Sequence, residues 1–146
     1  MLPLPVMSVH ELNDFLADAF PQGVVTTRVT EVTDAGVALR LPYSTLHLRP
    51  GGTISGPTLM ALTDTGAYAA ILSRIGPVAL AVTTSLTINF LRKPGQADVL
   101  ADASVLKLGR RLATVAVELL SAGSDDLVAH ATTTYSIPPE RGQSAR

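Results

Sequence analysis

The chain has 146 residues, 11 basic against 12 acidic side chains for a formal net charge of −1, 47% hydrophobic and 16% charged residues, and no cysteine. That length suffices for one domain with a self-supporting core, and the missing cysteines exclude a disulfide framework, a thiolate nucleophile and a cysteine-ligated metal site. So balanced and sparse a charge gives no field to gather nucleic acid or an anionic membrane surface, and neither is expected as a partner. The high apolar share of a small chain instead predicts a buried subunit interface, and so a homo-oligomer.

In chain order, the first residues carry no basic leader segment and soon reach Glu11 and Asp14, unlike a secretory signal. Ser8 with Glu11 three positions later has the form of a capping box, and Leu12, Phe15, Leu16 and Ala19 follow at helical spacing until Pro21. Two short strands are predicted at 24–32 and 37–41, joined by a hairpin turn over Thr33-Asp34-Ala35-Gly36. A Gly- and Pro-rich connection runs from Tyr43 to Ser55.

A second helix is predicted from Pro57, which suits a first turn because its missing N–H would have had no partner there, to Gly76-Pro77. Met60, Asp64, Ala67, Tyr68 and Ile71 share one face, while Leu59, Leu62, Gly66, Ala69 and Leu72 cover others. A helix apolar all round is expected to be buried. Asp64, Arg74 and Pro77 interrupt the apolar run before the roughly 20 residues a membrane crossing needs. A soluble, cytoplasmic protein is expected.

Beyond Pro77 the period becomes two. Leu80, Val82, Thr84, Leu86, Ile88 and Phe90 form the expected core face of a strand, with Ala81, Thr83, Ser85, Thr87 and Asn89 opposite. Further strands are predicted at 98–108, 111–120 and 127–137, with turns at Gly109-Arg110 and at 122–126. Short links favour antiparallel neighbours, and one long helix cannot cover both faces of a sheet. The predicted fold class is α+β, a curved antiparallel sheet wrapped around one long buried helix.

Asp64 is the chemical anomaly, because an ionised carboxylate in apolar surroundings is costly without hydrogen bonds. It is either a general base or nucleophile held rigidly at a pocket, or a carboxylate hydrogen-bonded at a polar loop or subunit boundary. Gly56, at the helix start, could turn its backbone N–H toward an incoming oxygen, or serve only as a loop glycine. Thr83 and Ser85 are hydroxyls on the polar side of their strand, able to orient a water or simply to suit the strand. Lys107, Gly109, Arg110 and Arg111 form a basic turn that could hold phosphates or be plainly solvated, and Arg92 and Lys93 share the ambiguity. His10, His47 and His130 have no partner at metal-ligand spacing, so structural or solvent-facing roles are expected and neither metal nor cofactor is predicted.

Taken together, "GGTISGPTLMALTDTGAYAA", "VTTSLTINFLRKPG", "ADASVLKLGRRLATVAVEL" and "LVAHATTTYSIP" resemble the hotdog-fold acyl-CoA thioesterases of the phenylacetate-pathway type, in the 4-hydroxybenzoyl-CoA thioesterase superfamily. The resemblance covers about Val24 to Ile137, in an expected hotdog domain at 24–138; residues 1–23 are expected as an N-terminal helical segment, and the tail at 139–146, with little to bury, as flexible. That family's usual His-Gly-Gly is here Ser55-Gly56-Pro57, while the acid nine positions after the histidine position is present as Asp64. The resemblance implies that Gly56 N–H polarises a thioester carbonyl, that Asp64 activates water or attacks directly, and that Thr83 and Ser55 belong to the same centre. It also implies an acyl channel beside Met60 and Tyr68, CoA phosphates near Lys107 to Arg111, and a homodimer or dimer-of-dimers tetramer with sites at the interface. A hydratase or dehydratase on the same fold, or a non-catalytic acyl-CoA-binding oligomer, are the alternatives. Serine in place of the motif histidine favours the last.

Overall fold

The computed structural model describes residues 2–21 and 26–139. Helix α1 (Val9–Ala19) starts as its sequence dictates: Ser8 Oγ accepts from Glu11 N at 3.1 Å and Glu11 Oε1 accepts from Ser8 N at 2.9 Å. Leu12 and Leu16 are buried, and the Asn13 amide exchanges two 2.9 Å hydrogen bonds with the backbone of Val29. Substituting Ser8 by Ala is expected to cost about 1 kcal/mol, read as a fall in Tm of about 3 °C.

A six-stranded antiparallel sheet follows the order β1-β2-β6-β7-β8-β5, with β1 (Arg28–Val32), β2 (Gly36–Leu41), β5 (Val82–Phe90), β6 (Val99–Leu108), β7 (Leu112–Ser121) and β8 (Leu127–Ser136). It wraps helix α2 (Gly56–Ile75), twelve of whose twenty residues are buried. This is the hotdog fold. Strands β6 and β7 alternate buried with accessible residues, as a sheet with one face on a core must.

Arg74, buried near the end of α2, donates through Nη2 to the carbonyls of Thr33 at 2.5 Å and Asp34 at 2.9 Å. It pins the β1–β2 turn to the helix. Burial pulls its guanidinium below the usual range, with Asp34 opposing. Among the described residues no helix is long and apolar enough to cross a membrane.

Four expectations need correction or restriction. The predicted beginning of the first strand at Val24, and the 23/24 boundary, lie outside the described residues; residues 26 and 27 are not strand, and β1 begins at Arg28. Nearly all of the predicted tail at 139–146 also lies outside them. The connection from Tyr43 to Ser55 contains a short 3-10 turn, Thr45–His47, and a ribbon of β3 (Leu48–Arg49) with β4 (Thr53–Ile54). Strands of two residues are too short to show a period.

Strand β5 departs most. It pairs with β8 at the far edge of the sheet, not with β6, and a bulge falls between Thr83 and Ser85. The extra residue reverses the alternation. Leu86 and Ile88 stay opposite the buried Thr133 and Ala131, but Thr83, not Thr84, lies opposite buried Tyr135. The predicted core face is half right, and Val82 (54%) and Phe90 (51%) are exposed.

Candidate active site

Asp64 stands in the third turn of α2 and is half-buried. Its Oδ1 accepts from Thr83 Oγ1 at 2.6 Å and from Tyr135 OH at 2.7 Å, and that phenol also lies 3.1 Å from the Asp64 carbonyl oxygen. Two donors from neighbouring strands thus fix the carboxylate by one oxygen. Among the described residues nothing donates to Oδ2, and that atom is not among the buried unpaired ones, so it remains accessible. Burial, and then the adjoining carboxylate, push the Tyr135 phenol far above its usual range, which keeps it a donor at any working pH.

The carboxylate opens on a cavity of about 760 Å³. Along α2 its wall includes the stripe Pro57, Thr58, Ala61, Asp64, Thr65 and Tyr68, with Leu62 beside it, a single helical face by the i, i+3, i+4 rule. One end is apolar and aromatic: Phe20, carried in by the end of α1, meets the Tyr68 ring edge-on at 6.0 Å between centroids, and Tyr68 lies 6.0 Å from Tyr135. Tyr68 OH donates to Ala79 O at 3.0 Å, which fixes the ring, and burial raises its phenol. Near the start of α2 the wall includes His47, whose Nδ1 is buried and, among the described residues, has no partner.

A second cavity, of about 440 Å³, lies at the N-terminus of α2 and is lined by Gly56, Leu59, Arg49, Phe90, Arg92 and Lys93 among others. Ser55 is the N-cap of α2: its Oγ accepts from Thr58 N at 3.3 Å and lies 2.8 Å from Thr58 Oγ1.

The structure therefore gathers Asp64, Thr83 and Tyr68 around one cavity and places Gly56 on another, with Ser55 engaged in capping between them. Met60 is 42% exposed and lines none of these walls. Lys107, Gly109, Arg110 and Arg111 also line neither cavity; Lys107 lies in β6 opposite Thr114, and Gly109 to Arg111 form the β6–β7 turn beyond the Leu112↔Ser136 pair, at the sheet end that carries Tyr135. Tyr135 and His47 join the Asp64 cavity without having been singled out for it. Tyr135 could have been found only through the Thr83↔Tyr135 register, and His47 only through the fold of the connection. Among the described residues no three His, Asp or Glu side chains gather as a metal site would require.

A carboxylate held at one oxygen and open at the other, in an apolar cavity, can activate water or attack an electrophilic carbon. The comparisons with known proteins give the family. A crystal structure of a Silicibacter protein provisionally assigned as a thioesterase is 42% identical, covers 92% of this chain and 94% of its own, and superposes with a TM-score of 0.85. The phenylacetic acid degradation protein PaaI of Thermus thermophilus, in a mutant form, is 33% identical over 76% of this chain and 92% of its own, with a TM-score of 0.66. A Halobacterium salinarum protein provisionally assigned as an esterase is 32% identical over 98 residues, and the match spans 64% of either chain. The sequence model of the thioesterase superfamily matches residues 51–134, more than half of the length, and the chain belongs to that superfamily.

Proposed function

We propose that the protein hydrolyses acyl-CoA thioesters to free CoA and a carboxylic acid. The observation that carries the reading is Asp64, with Oδ1 held by Thr83 and Tyr135, on the wall of an apolar cavity large enough for an acyl group. In the reaction Oδ2 takes a proton from water as it attacks the thioester carbon, or itself attacks to give a mixed anhydride that water then cleaves. The carbonyl oxygen becomes negative in either route, and collapse expels the CoA thiolate, which is protonated on leaving. The acyl group lies against Tyr68 and Phe20.

Gly56 N–H is the donor proposed for the carbonyl oxygen, yet it precedes Asp64 by eight residues on one helix, about 12 Å along the axis. One carbonyl cannot meet both within a single chain. Two copies resolve this, and β5 suggests how they meet. It is a nine-residue edge strand, exposed over most of its length, that runs from Val82 and Thr83 at the Asp64 cavity to Phe90 at the Gly56 cavity. Edge strands left open invite pairing, and an antiparallel pair about a two-fold axis sets the start of one strand against the end of the other. The Asp64 cavity of one subunit would then face the partner's Gly56. The opposite edge, β1, is already occupied at Val29 by Asn13.

The assembly proposed is thus a homodimer, or a tetramer of two such dimers, and a cytoplasmic substrate is part of the same proposal. Met60, exposed on α2, falls to the interface in this arrangement, and Lys107, Arg110 and Arg111 to the surface where CoA phosphates could be held.

The test is release of free thiol from short, medium and aromatic acyl-CoAs, phenylacetyl-CoA included. Release from at least one class supports the proposal; acyl-CoA binding without release from any would replace it by the binding-protein reading. Tyr135→Phe and Thr83→Ala each remove one donor to Oδ1, and hydrogen bonds to charged groups contribute about 1.5–3 kcal/mol. Each variant is expected to lower kcat roughly tenfold to a hundredfold. The double variant should lose less than the product, because both donors share one acceptor.

A further inference from the structure

We propose that Arg49 contacts the substrate, its guanidinium supplying the positive charge on the thioester carbonyl oxygen that the helix start Ser55-Gly56-Pro57 cannot provide alone. The inference rests on the reading above, in which the thioester spans the Asp64 cavity of one subunit and the Gly56 cavity of its partner.

The start of α2 has little to offer an oxyanion. Pro57 has no N–H, Thr58 N is engaged by Ser55 Oγ at 3.3 Å, and Leu59 N donates to Ser55 O at 3.2 Å. Among the described residues only Gly56 N–H, of these first positions, has no protein acceptor. One neutral donor is a thin stabilisation for a full negative charge, and enzymes of acyl transfer ordinarily direct two or more donors at it.

The cavity that holds Gly56 supplies what is missing. Arg49, Arg92 and Lys93 line it and, among the described residues, no Asp or Glu does, so three cations share its wall without a described counter-charge there in a chain whose net charge is −1. Arg92 is partly engaged, its Nη1 donating to Leu127 O at 3.1 Å. Among the described residues the Arg49 side chain donates to nothing.

The backbone that carries Arg49 is held in place while its guanidinium is left free of protein acceptors among the described residues. Arg49 pairs with Thr53 in the β3–β4 ribbon, whose turn needs Gly51 and Gly52 in left-handed conformations at φ 98° and 79°. The Gln96 side chain donates to Gly52 O at 2.9 Å, and Ser55 N donates to His47 O at 2.8 Å, so the ribbon is tied directly to the helix cap. The glycine pair accordingly has a purpose: it folds the chain back so that Arg49 and Gly56 share one wall. A guanidinium, planar and permanently charged with several N–H donors, can meet the oxygen beside the Gly56 N–H. Being a donor only, it leaves attack on the carbon to Asp64.

The test compares Arg49→Gln, Arg49→Lys and Arg49→Ala with Arg92→Ala and Lys93→Ala, each checked for native melting and assembly, using benzoyl-CoA as the probe. Arg49→Gln is expected to lower kcat about 100-fold with KM little changed, and added guanidinium ion should restore Arg49→Ala but neither of the other alanine variants. A second readout needs no turnover. In the Asp64→Asn protein, the carbonyl infrared band of carbon-13-labelled benzoyl-CoA should move to lower wavenumber on binding and lose most of that shift when Arg49→Gln is added. An unchanged band, or rescue as large for Lys93→Ala as for Arg49→Ala, overturns the inference. Absence of thiol release from the native protein would instead count against the proposed hydrolysis, while the band shift would still decide the place of Arg49.

Discussion

Asp64→Asn is expected to lower kcat for thioester hydrolysis roughly 10³-fold while leaving the fold and assembly as they were. The substitution keeps the shape of the side chain and keeps an acceptor at Oδ1, so Thr83 at 2.6 Å and Tyr135 at 2.7 Å retain their bonds. What changes is the accessible atom: Oδ2, which can take a proton or attack carbon, becomes an amide nitrogen that can do neither. Loss of rate with an unshifted melting curve and an unchanged size in solution therefore isolates chemistry from structure. A variant that hydrolyses as fast as the native chain would remove Asp64 from the mechanism. Truncation to Ala would be a poorer experiment, since it also leaves the two hydroxyls, one of them on buried Tyr135, without their acceptor.

Gly36→Ala should give the largest loss of stability of any single methyl added to this chain. A Cβ built on Gly36 would lie 1.9 Å from Ala103 O and 2.9 Å from Ala103 C, and those atoms are backbone. Neither side can yield cheaply. Gly36 pairs with Ser104 across β2 and β6, while its N–H donates to Thr33 Oγ1 at 2.9 Å and its carbonyl accepts from Thr33 N at 2.9 Å. The neighbouring turn is held by Val105 N donating to Ala35 O at 2.8 Å and by the buried Arg74 on the carbonyls of Thr33 and Asp34. Relief of the clash must spread the β2–β6 pair, at a cost of about 3 kcal/mol and a fall in Tm of roughly 10 °C. Gly95→Ala is the matched control, because among the described residues nothing lies within 4 Å of a Cβ there. It should be neutral or slightly stabilising through the unfolded state. Equal melting of the two variants would mean that the β1–β2 turn is far softer than its hydrogen bonds imply.

The two expectations separate what this molecule needs in order to fold from what it needs in order to react. Gly36 is far along the chain from Asp64 and lines neither of the two cavities at α2, yet it governs how closely β2 approaches β6. The core is built on such approaches. Asp64, by contrast, sits on the one helix that the sheet must cover, where burial makes its position rigid and its two hydroxyl partners make its charge tolerable.

Much of the architecture was legible from the sequence because it is set locally. The Ser8 and Glu11 capping box, the apolar helix between Ser55 and Gly76, and the period-two strands after Val99 depend on residues a few positions apart, and the structure has each of them. Asp64 stood out for the same reason, as the one carboxylate in an apolar helix. The surroundings of Asp64 were decided elsewhere. Only long-range pairing sends β5 past β6 to the far edge beside β8, and only the bulge between Thr83 and Ser85 turns the Thr83 hydroxyl inward to the carboxylate. Tyr135 reaches Asp64 from 71 residues away, and the turn at Gly51-Gly52 brings Arg49 to the cavity of Gly56. Helical caps and hydrophobic periods are written in near neighbours and can be read there. Strand order, the face onto which a bulge turns a side chain, and the side chains that share a cavity follow from register between distant segments, and that is fixed only when the whole sheet closes around α2.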